Sequence, residues 1–593
     1  MGAVYNPLIS TQHIRILTLA PSEDVDAALE GSLDQQRIND PSQEYEAISY
    51  TWGDQERSRP LRCDGAMIHI TPNLAQVLLC LRFRTSPRRL WADAICINQE
   101  DLDEKAQQIP LMAKIYRSAT QVRVWLGDGD EGESRALDDL ASFTRRARTF
   151  EYQNQDRETN QTLVEIGKSA KKVFRMPWFG RRWIVQELVL NGDVMFHCGQ
   201  SRISWPALHF AFHALPTGNS DDDLDVDIRR KIRQFGDLWR TWSFGNASTI
   251  DRGIYSLLSS FTDLQCKEGK DRVYAIAGLA DDIELRSSTS PASVASITPN
   301  YGISDREVFQ DLAFKMIQSG KVFGTLAYAG ASRIAGVDEH LASWIPDARH
   351  PGPWPLIATE READFKLVEV CEPSNGSLTL KIEAYGWEGD TSTSTDNALL
   401  GIEDDSMLDW SLFYVENVFE PRKIYMAHEW NIHLQYIQMW LIKHQDSEDF
   451  IYEGPTFYTM APMIWSLIRC QLLTEDGCEA LDRLPSLEDF RIQLSGGELD
   501  GQWAMYLTKA LSANKLYIGQ RQMGVWRRFT GFGPRDLKPG DAMLLPSAEL
   551  QSATALFLRP ADSEFTVLGG GLAWAGDIGG INLVPREIEV HLI

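Results

Sequence analysis

Three short apolar runs, each closed by a small or polar cluster, stand out in the first quarter of the chain. They are Tyr45-Glu-Ala-Ile-Ser-Tyr-Thr-Trp-Gly-Asp54, Leu90-Trp-Ala-Asp-Ala-Ile-Cys-Ile-Asn-Gln99 and Gln121-Val-Arg-Val-Trp-Leu-Gly127. Runs of this length that end at turn residues are the mark of buried strands. Between them, Leu74, Val77, Leu78 and Leu81 recur at helical spacing behind Thr71-Pro72, which predicts a helix over Asn73 to Arg84. Ile109, Met112, Ile115, Tyr116 and Ala119 predict a second helix within Asp103 to Ala119. Alternating strands and helices predict a parallel sheet with helices on its faces. In such sheets the binding crevice lies just past the carboxyl ends of the strands. Here that means Trp52, Gly53 and Asp54, then Asp93 to Glu100, then Gly127 and Asp128.

The same patterning carries through the rest of the chain. Ile14 to Leu19 reads as a strand, followed by a polar stretch from Pro21 to Pro41. Ser134 to Thr149 and Thr159 to Phe174 read as helices of an insertion, Pro177 to Val189 as a turn running into a short helix, and Val194 to Cys198 as a strand. Ile228 to Asp263 and Ser304 to Ser319 are helical. After Asp347 the texture changes: Ser374-Asn-Gly376 predicts a β-hairpin, and Glu429 to Lys443 and Met463 to Leu473 predict amphipathic helices. From Trp526 onward, short strands separated by Pro and Gly turns predict a small barrel or sandwich.

At 593 residues the chain exceeds what one core serves. Its 58 basic against 83 acidic residues give a net charge of −25, which argues against nucleic acid or an anionic membrane as a partner. A local basic patch is still open, with Arg175 to Arg182 as the candidate. Eight cysteines without a CxxC pair fit a reducing compartment, so a cytoplasmic protein is expected. No metal site is expected, since His428 and His433 lack the spacing of a zinc-binding helix. No apolar run is long enough for a membrane span. Gly-x-Gly-x-x-Gly and P-loop patterns are absent, so no standard nucleotide cradle is expected.

Several ordered blocks resemble the fungal heterokaryon-incompatibility (HET) domain family. They are Ala47-Ile-Ser-Tyr-Thr-Trp-Gly-Asp54, Leu90 to Gln99, Ile115-Tyr-Arg-Ser-Ala119 leading into Val124-Trp-Leu-Gly127, and Arg181-Arg-Trp-Ile-Val-Gln-Glu187. Asp271 to Leu279, Pro299-Asn-Tyr301, Ser343 to Asp347, Lys538-Pro-Gly-Asp541 and Phe557-Leu-Arg-Pro560 are similar to further segments of HET proteins. The resemblance implies a role in non-self recognition, in which such proteins trigger death of incompatible fused hyphae. It also implies a more distant likeness to the TIR fold, a flavodoxin-like parallel sheet, here interrupted by an insertion over about 128–175. Four regions are then expected: a HET domain over 1–215, its helical extension over 216–350, a mixed hairpin and helical region over 351–525, and a β-rich module over 526–593.

In TIR enzymes a glutamate on the helix after the third strand is essential for cleaving the nicotinamide–ribose bond of NAD. The likeness places that glutamate at Glu187, behind Arg182 and Trp183. A carboxylate there can stabilise an oxocarbenium-like state; alternatively, Glu187 forms a structural ion pair with Arg181 or Arg182. Asp93, in an apolar run, either joins the site or caps the following loop. Trp52, Gly53 and Asp54 can offer a stacking indole and a close backbone approach to a sugar or phosphate, or form a plain turn. Asn98 lies where TIR proteins carry a loop that gates substrate and assembly, or belongs to a plain solvated loop. Cys96 with His69 or His197 could form a thiol nucleophile, but its apolar run argues for a buried, inert thiol. NAD is thus a candidate substrate, no bound cofactor is implied, and self-association or a protein partner is expected. Two alternatives stay open: a non-catalytic assembly module, and a co-opted family member working as an enzyme of fungal secondary metabolism.

Overall fold

A computed structural model describes most of residues 5–147 and 157–333. Of the remainder it describes 341–350, 364–387, 413–419 and parts of 461–495 and 502–593. Contacts divide the chain into two compact units, one of residues 1–254 and 263–304, the other of 255–262 and 305–593. The boundary does not fall at any of the limits expected from the sequence. Among the described residues, no helix is long and apolar enough to cross a membrane, and no group of three or more His, Cys, Asp or Glu side chains is placed to hold a metal.

The first unit is built on a nine-stranded mixed sheet among the described residues. Its strands are β1 His13–Leu19, β2 Leu29–Arg37, β3 Glu46–Tyr50, β4 Arg59–Cys63, β5 Ala66–Ile70, β6 Arg88–Trp91, β7 Val122–Trp125, β8 Val194–Cys198 and β9 Ser201–Ser204. Their order is β5-β4-β2-β1-β6-β3-β7-β8-β9. β6, β3, β7 and β8 are mutually parallel, with Ala47 opposite both Trp91 and Val122. This is the strand-and-helix alternation expected from the three apolar runs. The sheet departs from an all-parallel one at both flanks, where β1, β2, β5 and β9 pair antiparallel. β2 falls within the stretch read as polar: only Leu29 and Gln36 of it are buried, so it shows no apolar run.

Between the parallel strands run α1 Pro72–Leu81, α2 Asp93–Cys96, α3 Leu102–Gln108, α4 Met112–Ser118, α5 Glu131–Ala147, α6 Arg157–Phe174 and α7 Ile184–Val189. Thr71 caps α1, its hydroxyl accepting the Leu74 N–H, and Pro72 opens the first turn. Leu74, Val77, Leu78 and Leu81 are buried, as their spacing predicts. The single helix expected over 103–119 is broken into α3, a 3-10 turn Ile109–Leu111, and α4. Pro110 sits in that turn, where its missing N–H does not disrupt either helix. α5 and α6 form the insertion; residues 148–156 between them lie outside the described residues.

In the second unit the hairpin about Ser374-Asn-Gly376 is present. Lys366–Val370 pairs with Leu378–Trp387, and the turn holds Asn375 at φ 52 and Gly376 at φ 89. The strands after Trp526 do not form a module of their own. They share one nine-stranded sheet with that hairpin, Phe413–Phe419 and Asn514–Met523, because the long strand Leu583–Leu592 pairs along the whole of Leu378–Trp387. The Lys538 to Asp541 and Phe557 to Pro560 segments meet here: Asp541 accepts two hydrogen bonds from Arg559, at 2.8 and 2.9 Å. The helix expected over Glu429 to Lys443 lies outside the described residues.

Candidate active site

β3 has β6 on one side and β7 on the other, so chain order reverses across it. The crevice at such a switch point opens past the carboxyl ends of these strands. Ser49, the next-to-last residue of β3, is fully buried and accepts a hydrogen bond at 2.7 Å from the indole of Trp178. Its own hydroxyl donates to Glu187 Oε2. Glu187, in the first turn of α7, is only 2% exposed. Its carboxylate also receives a two-pronged contact from Arg181, at 3.1 and 3.2 Å. The site thus runs Trp178, Ser49, Glu187, Arg181 in one hydrogen-bonded chain.

Local sequence explains the aim of each group. Trp178 and Phe179 pack edge-on and stacked against Phe196 of β8, which pins the Pro177–Gly180 turn to the sheet. Backbone bonds from Arg182 to Gln265 (2.8 Å) and from Gln265 to Gly180 (2.7 Å) then clamp the chain on both sides of Arg181. Adjacent residues of an extended segment point opposite ways. Arg181 therefore turns to Glu187, while Arg182 is buried and donates to the Arg272 carbonyl at 2.9 Å.

Asp93 opens α2 at the end of β6 and keeps partial access to solvent. Its carboxylate accepts the Trp52 indole N–H at 3.1 Å and the Ala94 N–H at 2.8 Å. The site contact and the capping contact coexist. Tyr50's hydroxyl is buried without a hydrogen-bond partner in good geometry, and Asp93 is the carboxylate that weighs most on it. Arg181 is also the main cation acting on Asp93. One guanidinium facing two carboxyls cannot neutralise both. Burial, offset by Arg181, leaves Glu187 and Asp93 each harder to ionise than an ordinary carboxyl, and each carboxylate repels the other. Burial disfavours the Arg181 charge, but Glu187 and Asp93 outweigh it and hold the guanidinium protonated.

The remaining sequence-predicted residues divide. Gly53 sits at φ +64, where a side chain is disfavoured, and nothing crowds its Cα. The glycine therefore serves the turn after β3, with no close approach to explain. Asp54 lies outside the described residues. Asn98 turns to its own loop, its amide oxygen accepting the Glu100 N–H at 3.3 Å; Gln99 instead bonds the Asp93 carbonyl at 2.8 Å. Trp183 bonds Asp271, which also accepts the Tyr301 hydroxyl at 2.6 Å. Asn98, Arg182 and Trp183 are thus engaged away from the Glu187 carboxylate. Cys96 is buried, its thiol pushed up to about 12, chiefly by burial.

Ser49, Trp178 and Arg181 complete the site without a sequence pattern that marks them for it. Ser49 was visible as the one small polar side chain inside an apolar strand. Arg181 and Arg182 are equivalent partners for Glu187 in the sequence, because no spacing rule separates two neighbouring arginines before a turn.

Residues 45–187 match the family described as Heterokaryon incompatibility protein (HET). Over this span the chain is similar to a HET domain. The matched span begins at the strand that bears Ser49 and ends at Glu187, so it holds every group of this site. A curated relative, Heterokaryon incompatibility protein 6, OR allele, from Neurospora crassa, is 31% identical over 400 residues, covering 56% of this chain and 57% of that protein. The chain thus spans little more than half of that relative's length. No solved structure matches.

Proposed function

We propose that this protein acts in fungal non-self recognition and its associated cell death, and that its HET domain works by cleaving NAD at the nicotinamide–ribose bond. The relative's name supports the biological role. The parallel core supports the chemistry: β6-β3-β7-β8 stand second, first, third and fourth in chain order among themselves, the order of a flavodoxin-like and hence TIR-like sheet. The observation that carries the reading is a buried Glu187 carboxylate held by Ser49 and the Arg181 guanidinium at the switch point of that sheet, with Asp93 within the field of the same cation. Carboxyls pushed away from their ordinary ionisation in a strand-end crevice are the usual furniture of acid–base and electrostatic catalysis.

In the proposed step the C1′–N bond breaks, its electron pair returns to the nicotinamide ring nitrogen, and the ribose carries the positive charge. The Glu187 carboxylate stabilises that oxocarbenium-like centre. Water then adds to C1′ and gives up a proton, yielding ADP-ribose. Trp52 offers a stacking face and Asp93 a hydroxyl-binding carboxyl beside it. In the described conformation Arg181 and Ser49 occupy both Glu187 oxygens. Activity therefore requires Arg181 to move off one Glu187 oxygen while its charge stays close enough to keep the carboxylate ionised, an opening that self-association would drive.

That closed pair favours a second reading, a non-catalytic assembly module in which Glu187 and Arg181 only fasten α7 to the sheet. The two readings separate in cells. Hyphae expressing the wild-type chain are expected to lose NAD before they die, whereas equal amounts of Glu187→Gln leave both NAD and viability intact. Death with unchanged NAD points to the assembly module. Survival in both cases contradicts the cell-death role.

A further inference from the structure

The insertion carries a charge pattern that the crevice does not use. Lys168, Lys171 and Lys172 in the last turns of α6 and Arg175 just past its end recur at intervals of three, four and seven, the spacing of one cationic face. Together with Glu133 of α5, Met176 and Pro177, they line an open cavity of about 430 Å³. That volume is in the range of small-molecule sites. Four cations meet one carboxylate in the lining of a chain whose net charge is −25. Two neighbouring acids temper this: Asp130 pairs with Lys172 at 3.2 Å and Glu165 with Lys168 at 3.1 Å. Among the described contacts the cations outnumber these three acids. Lys168 and Lys172 keep 54% and 42% of their side-chain surface open, so neither charge is spent in a buried pair.

Like charges three and four apart on a helix repel. A bound anion removes that repulsion. The stripe covers two helical turns, about 10 Å, which is long enough for two adjacent phosphates to be held at once. Buried Met176 adds an apolar wall beside the cations.

We infer that this cavity binds a small molecule bearing adjacent phosphates, of the nucleoside diphosphate class. The site is separate from the crevice and does not depend on NAD cleavage. Met176 and Pro177 also open the turn that sets Trp178 on Ser49 and leads into Arg181, so an occupant rests on the segment that aims the Glu187 ion pair.

Titration calorimetry of the full chain, first with pyrophosphate and then with ADP, tests the assignment. One pyrophosphate per chain is expected. The double variant Lys171→Glu/Arg175→Glu should weaken it at least tenfold, Glu133→Gln should tighten it, and Glu187→Gln should leave it unchanged. ADP should bind at least as tightly as pyrophosphate. Circular dichroism and a thermal melt of the double variant, expected to match wild type, exclude misfolding as the cause. The assignment is overturned by absence of binding, or by equal binding to the double variant. Loss of binding in Glu187→Gln alone would place the anion in the crevice and also overturn it. ADP binding tenfold weaker than pyrophosphate overturns the nucleotide class.

Discussion

Arg181 is the residue on which the site's electrostatics turn, since it is the cation common to Glu187 and Asp93. Replacing it with Met leaves Glu187 buried without a counter-charge. Breaking one side of a buried pair costs about 3–5 kcal/mol. Because Arg181 is 22% exposed and water can reach the gap, the lower end, about 3 kcal/mol, is expected in denaturant unfolding. Arg181→Lys should cost less, as it keeps the charge but loses the fork that meets both oxygens. A loss below about 1 kcal/mol for Arg181→Met would mean the pair is not buried as described. At this scale the sequence showed the acids better than the base. Glu187, Asp93 and Trp52 stood at motif positions, but choosing Arg181 over Arg182 depends on a bridge to Gln265, more than 80 residues along the chain.

At the scale of elements, two features of the second unit give opposite lessons about helix 322–332. Glycine to alanine inside a helix usually stabilises a protein by up to about 1 kcal/mol. At Gly330 the sign should reverse, because an added Cβ would lie 2.3 Å from the backbone of Gly569 on the strand Glu564–Trp574. Gly330→Ala is expected to destabilise that unit by about 1–3 kcal/mol, the range for overpacking; a raised melting temperature would contradict this close approach.

Near the start of the same helix, Asp364 accepts the Phe323 and Phe365 N–H groups at 2.7 and 2.8 Å. Burial nonetheless raises its pKa to about 6. The folded state then holds a proton that the unfolded state has released, so stability falls as pH rises from about 4 to about 6 and is level above that. Holding the proton up to about pH 6 would amount to nearly 3 kcal/mol, and partial exposure reduces this to about 1–2. Asp364→Asn keeps an acceptor for both N–H groups and should flatten the slope in urea melts across that range. An unchanged slope would assign the titration elsewhere.

The central strands β3, β6 and β7 were legible because burial on both faces leaves continuous apolar runs. β2, β4 and β5 were not, because strands such as Arg59–Cys63, with alternate residues exposed, carry too short an apolar signal to separate from a loop.

At the scale of the whole molecule, the second unit includes residues 255–262, although residues on either side of them belong to the first. Leu257, Leu258 and Phe261 are buried there, and Tyr255 stacks on Tyr328 at 4.8 Å. A fragment 1–304 should therefore expose these apolar side chains and elute from a sizing column as aggregate. Leu258→Ser with Phe261→Ser should restore a monodisperse fragment while destabilising the full chain. A well-behaved unmodified fragment would contradict the division. This exchange of segments was hidden from the sequence, since 228–263 reads as one helical region with no change in texture at either boundary.

The central claim is that Glu187 is the catalytic carboxylate of an NAD-cleaving crevice that opens on assembly. Nicotinamide release from NAD by purified full-length protein, followed across a wide range of protein concentration, tests it most directly. Wild type is expected to release nicotinamide and ADP-ribose in equal amounts, at a rate per chain that rises with concentration. Glu187→Gln should be slower by about a hundredfold or more, the loss seen when a charge-stabilising group is removed from a transition state. Equal release by both proteins, or none from wild type at any concentration, would contradict the claim.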